Sequence, residues 1–127
     1  MKMIALAFNI GDDEKVNAVH FDDLFNIFKN IVLNPAIETF IIAFFIHWLK
    51  QFFEKKIYII IISTLLFAAL HFRLEYPLWF FGVLWPSFIL STVFLTWRSI
   101  SFWKAYIVCT IIHIMHNATA YMLTLFL

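Results

Sequence analysis

Four polar side chains stand in apolar surroundings, and all four are types that perform hydrolytic chemistry. Glu38 heads a run that continues through Phe40, Ile41, Ile42, Phe44, Phe45, Ile46 and Trp48. His71 follows Phe67 at i+4, and His113 and Asn117 repeat that spacing, which places each pair on one helix face. A carboxylate at mid-helix in lipid costs roughly 2.5–3.5 kcal/mol on insertion scales, so it reads as functional by default. In low dielectric such a group gains affinity for a proton and can take one from water near neutral pH. Neutral His and Asn donors held away from water suit an oxyanion forming at a carbonyl. Ser63, Ser87, Ser91 and Ser99 show no base at helical spacing, so no serine-centred alternative stands out.

The elements that must position these groups are membrane helices. Of 127 residues, 64% are hydrophobic and 13% charged, and the mean hydropathy is +0.90. A soluble domain carries about 25% charged residues. At about 20 residues per span, the chain after residue 30 has room for four transmembrane helices in one all-α integral membrane domain. A net charge of +1 without a Lys/Arg cluster argues against a nucleic-acid partner. Cys109 is the single cysteine and lies in an apolar run, where it reads as a small buried residue.

Residues 1–33 form an N-terminal segment, and residues 34–127 form the four-helix core. Met1 to Ile10 is too short an apolar patch for a signal peptide. From Phe21, the stripe Phe21, Leu24, Phe25, Phe28 and Val32 predicts an amphipathic interfacial helix. Asn34-Pro35 reads as a fresh helix start, with Asn34 as N-cap and Glu38 in the opening turns. The spans follow at 35–52, 57–72, 78–97 and 102–127. Gly82 and Pro86 in the third predict a kink or a close helix contact. Trp79 and Trp97 sit where interface anchors belong. Because His71 ends the second span on the side where the first begins, and the fourth returns there, all four polar residues fall in one half of the bilayer or near its middle.

Three motifs in this order, Pro-x-x-Glu at 35–38, Phe-x-x-x-His at 67–71 and His-x-x-x-Asn at 113–117, resemble the CPBP (Abi) family of CAAX proteases and bacteriocin-processing enzymes. The resemblance covers about residues 33 to 121. It implies a glutamic intramembrane peptidase of a bacterial cell membrane, with Glu38 and His71 activating water and His113 and Asn117 stabilising the oxyanion. Thr39 and Phe67 have supporting places. The family pattern Glu-Glu-x-x-x-Arg is broken here: Thr39 replaces the second Glu, and Ala43 stands at the Arg position.

Three function classes follow. The first is an intramembrane endopeptidase acting on a peptide or membrane-protein substrate. The second is a non-catalytic member of the same lineage with a bacteriocin immunity or assembly role, which the altered first motif favours. The third is a zinc enzyme. No His-Glu-x-x-His helix gathers ligands, so neither a metal nor another cofactor is expected. His116 points about 100° from Asn117 around the helix and reads as structural, and His47 as interfacial. Four helices are few to enclose a watered cavity, so self-association or a membrane partner is expected, with Gly82 and the Pro86 region as the contact surface.

An even number of spans puts both termini on one side. Lys50, Lys55, Lys56, Arg98 and Lys104 lie on the opposite side, which the positive-inside rule assigns to the cytoplasm. The expected result is that single cysteines placed near each terminus are both labelled from outside intact cells. Protected termini would reverse the orientation.

Overall fold

The computed structural model describes residues 21–72 and 78–127. Among them every regular element is helical: α1 (Phe21–Phe28), a five-residue π-helical turn (Lys29–Leu33), α2 (Asn34–Leu49), α3 (Lys56–Leu70), α4 (Leu78–Arg98) and α5 (Phe102–Phe126). Three stretches are long and apolar enough to cross a bilayer: 23–49, 80–98 and 102–126. At 15 residues α3 is shorter, about 22 Å, against a hydrocarbon core of about 30 Å. The chain is thus an integral membrane protein with three spanning helices and one shorter apolar helix.

The expected helix start at Asn34 is absent. Leu33 and Asn34 both have helical backbone angles, and α1 runs through the π turn into α2 as one continuous helix over 21–49. Proline is the cause. Inside a helix it supplies no N–H and its ring crowds the carbonyl four residues earlier, here that of Ile31. The chain answers by widening one turn: the Asn34 N–H reaches back five residues to the Lys29 carbonyl. Asn34 spends its side chain on Asn30 instead, donating from Nδ2 to Oδ1 at 3.1 Å. In water a chain would stop at Asn-Pro. In lipid, unwinding would expose carbonyls with no water to meet them, and a π turn costs less. Glu38 therefore lies well inside a long helix, not in its opening turns.

The helices pack as a ring in which α2 and α4 each contact both α3 and α5. Lipid tails are as apolar as leucine, so close packing and interhelical hydrogen bonds hold such a bundle. Small residues accordingly fill the contacts: Ala43, Ala68, Ala105 and Cys109 are at most 1% exposed, as are Ser63, Ser87 and Ser91. Ser63 Oγ meets Ser91 Oγ at 3.1 Å between α3 and α4. Tyr106 on α5 donates to the Ala36 carbonyl on α2 at 3.0 Å. Ser63 and Ser91 are thus occupied as an interhelical link. Large apolar side chains such as Phe40, Phe44, Leu65, Trp85 and Ile111 point outward, as lipid-facing positions should.

Ala43 belongs to the dry core with Ile42 and Ile46, one turn beyond the fully buried Thr39. Glu and Arg at these positions would form an i, i+4 pair, so both charges are missing together and no unpaired charge is left behind. Ala43→Arg alone should destabilise the detergent-solubilised protein by about 3–5 kcal/mol, the cost of an uncompensated buried charge. Thr39→Glu with Ala43→Arg should recover part of that loss. Thermal unfolding of both variants reads the coupling, and additive effects would mean that the two positions do not communicate.

Candidate active site

Three helices bring the four polar residues to one cavity of about 360 Å³, whose lining includes Glu38, His71, His113 and Asn117. Glu38 comes from the middle of the long helix and His71 from the residue that closes α3. His113 and Asn117 come from successive turns of α5. Glu38 divides its carboxylate between the two imidazoles: Oε1 is 3.7 Å from His71 Nε2, and Oε2 is 3.2 Å from His113 Nε2. His113 is 6% exposed, whereas Glu38 keeps 29% of its side chain open, so solvent from the cavity can reach the carboxylate.

The two imidazoles differ because their far nitrogens meet different partners. His71 Nδ1 lies 3.0 Å from the Phe67 carbonyl, which can only accept, so this nitrogen carries a proton. In neutral His71 the Nε2 facing Glu38 is then a lone pair, an acceptor. His113 Nδ1 lies 3.3 Å from the Thr39 hydroxyl. A hydroxyl can donate there, which leaves the His113 proton on Nε2, where it serves the Glu38 carboxylate. One carboxylate is thus flanked by an acceptor imidazole and a donor imidazole. Phe67 contributes twice, since its 3% exposed ring also lies 4.6 Å from the His71 ring, centroid to centroid.

Asn117 is engaged differently. Its Nδ2 donates to the Asn30 backbone carbonyl at 3.4 Å. That carbonyl has lost its usual helical donor, because the Asn34 N–H goes to Lys29, and residue 35, the next possible donor, is proline. The π turn thereby creates an acceptor on the cavity wall, and Asn117 fills it. Asn30 and Asn34 line the same cavity, which the sequence reading missed. The signal was present: 30, 34 and 38 fall at i, i+4 and i+8, one polar stripe once the helix is taken as continuous.

Two further placements differ from expectation. His116 lines the cavity despite its angular offset from Asn117, and with Pro86 and Leu90 it also borders a smaller void of about 50 Å³ between α4 and α5. Gly82 and Pro86 also line the main cavity, and a Cβ built on Gly82 would meet nothing within 4 Å, so no helix is pressed against it. His47 is exposed, as expected of an interfacial residue. Among the described residues no three His, Cys, Asp or Glu side chains are grouped as a metal site.

No curated protein and no solved structure matches the chain. A family model described as type II CAAX prenyl endopeptidase Rce1-like matches residues 20–119, which include all four cavity residues and every described helix apart from the tail of α5. With most of its length matched, this membrane protein belongs to the Rce1-like family, within the CPBP proteases.

Proposed function

We propose that the chain is an intramembrane endopeptidase that hydrolyses a peptide or membrane-protein substrate with water activated by Glu38 and His71, α3 serving as a fourth, short crossing of the bilayer. The observation that carries this reading is the Glu38 carboxylate lying between two imidazoles, 3.7 Å from His71 Nε2 and 3.2 Å from His113 Nε2, at the cavity. Water bonded to Glu38 Oε1 and His71 Nε2 gives its proton to the carboxylate as its oxygen attacks the scissile carbonyl. Once protonated, Glu38 no longer needs the His113 N–H, and that donor turns to the new oxyanion. Asn117 adds a second donor when it leaves the Asn30 carbonyl. The proton on Glu38 then passes to the departing amine, the C–N bond breaks, and the carboxylate is restored.

A second reading, a non-catalytic member with a bacteriocin immunity or assembly role, draws on Thr39 and Ala43, where the family pattern has Glu and Arg. One substitution separates the two. Glu38→Gln preserves shape and hydrogen bonding but cannot accept the proton, so cleavage of a peptide panel in liposomes should fall by about 10²–10⁴-fold. Asn117→Ala should cost on the order of 10²–10³-fold, as one oxyanion donor of two. A cellular phenotype that survives intact in both Glu38→Gln and His71→Ala would favour the non-catalytic reading.

Thr39 gives a finer test. Thr39→Val removes the hydroxyl that assigns the His113 proton to Nε2 while keeping the volume. It should lower kcat about ten-fold, and Thr39→Ser should retain most of it. Equal losses in the two variants would mean that Thr39 acts through packing alone.

A further inference from the structure

One wall of the cavity is built by α4, and it contains a break in the backbone ladder. Pro86 lies inside α4 and offers no N–H to the carbonyl four residues earlier, that of Gly82. Gly82 is also the one residue on that wall without a side chain, so its share of the cavity lining is main chain. A Cβ there would meet nothing within 4 Å, so the direction a side chain would take is open space. Ser87, the next residue that could help, directs its hydroxyl to the Val83 carbonyl at 2.6 Å. The Gly82 carbonyl therefore receives no N–H from residue 86, and Gly82 itself lines the cavity.

An acceptor of this kind in a bilayer requires a donor. We propose that the Gly82 carbonyl is a binding subsite for a backbone N–H of an extended peptide chain, in the same cavity as Glu38. The class of ligand follows from the chemistry. The described lining has no Lys or Arg, so nothing there selects a carboxylate or phosphate. Next to Gly82 the wall is apolar, formed by Val83, Pro86 and Leu90. A peptide segment with aliphatic side chains presents both features, an N–H for the carbonyl and an apolar surface for the wall. Such a segment must give up its own helical hydrogen bonds before any carbonyl becomes open to attack, and the subsite replaces one of them. The inference rests on the peptidase reading for what happens next, but not for the binding itself.

The test uses full-length protein in lipid nanodiscs carrying Glu38→Gln, so that bound peptide is not turned over. The probe is an end-capped, dansyl-labelled decapeptide of Leu, Ala and Val, with variants in which one peptide N–H at a time is replaced by an ester oxygen. Energy transfer from the protein's tryptophans, corrected with empty nanodiscs, reads binding. One ester position should weaken binding about three- to ten-fold, the worth of one hydrogen bond. That penalty should vanish in Pro86→Ala, where residue 86 regains an N–H for the Gly82 carbonyl. If Pro86→Ala does not fold, Gly82→Leu decides, because its side chain fills the open space and should abolish binding of amide and ester peptides alike. An absence of saturable binding, an ester penalty that persists in Pro86→Ala, or undisturbed binding to Gly82→Leu overturns the proposal. Binding with the expected pattern but no cleavage by the protein with Glu38 intact keeps the subsite and removes the peptidase reading. Cleavage without the pattern does the reverse.

Discussion

A carboxylate in the middle of a long apolar helix needs polar partners, and this requirement ties the bundle together. Glu38 is met by His71 from the end of α3 and by His113 from the middle of α5, so one side chain joins three helices. Each imidazole is in turn held from behind, His71 by a carbonyl and His113 by a hydroxyl. Ion–dipole contacts of this kind are stronger in a dry interior than in water, and leaving one unmet is correspondingly expensive. The family relationship fits this economy of parts: most of the matched length consists of the helices that hold these few groups.

Backbone satisfaction is the second constraint, and two prolines relax it at the two walls of one cavity. Pro35 forces the π turn and strips the Asn30 carbonyl of its donor, which Asn117 then supplies. Pro86 takes the N–H from the Gly82 carbonyl on α4, and both residues line the same cavity. Non-helical or depleted backbone at membrane depth is tolerated where it faces protein or a water-holding space. Both breaks obey that rule. Polarity in this cavity comes as much from main chain as from side chains.

Much of this was legible from residue types and spacing. Glu38, His71, His113 and Asn117 stood out because polar groups in apolar runs are costly, and the i, i+4 spacing of His113 and Asn117 fixed their common face. The helix boundaries of α4 and α5 followed from the charged turns around Arg98 and Lys104. What misled was Asn34-Pro35, whose local chemistry says helix start in water. The preference was overridden because a stopped helix in lipid leaves carbonyls bare. With the helix cut there, the stripe Asn30, Asn34, Glu38 was divided between two elements and went unseen. The proton positions on the imidazoles were beyond sequence reading altogether, since they depend on Thr39 Oγ1 and the Phe67 carbonyl, contacts visible only in three dimensions. The small residue Ala43 looked like a missing Arg; its burial shows a site where a lone cation would have had no counter-charge.

The shortness of α3 has a consequence for the membrane itself. On the proposed reading that α3 crosses the bilayer, a helix of about 22 Å cannot match a hydrocarbon layer of about 30 Å, and the lipid must yield around it. Acyl chains compress toward the helix and headgroups sink with them, forming a dimple on the side where the helix falls short. If the shortfall lies at the His71 end, the dimple forms beside the cavity. Interfacial water then descends with the headgroups to the level of the Glu38–His71 pair without any channel through the protein. Bilayer thickness becomes a determinant of how wet the carboxylate is, and thinner membranes and thicker ones present this protein with different amounts of its smallest reactant.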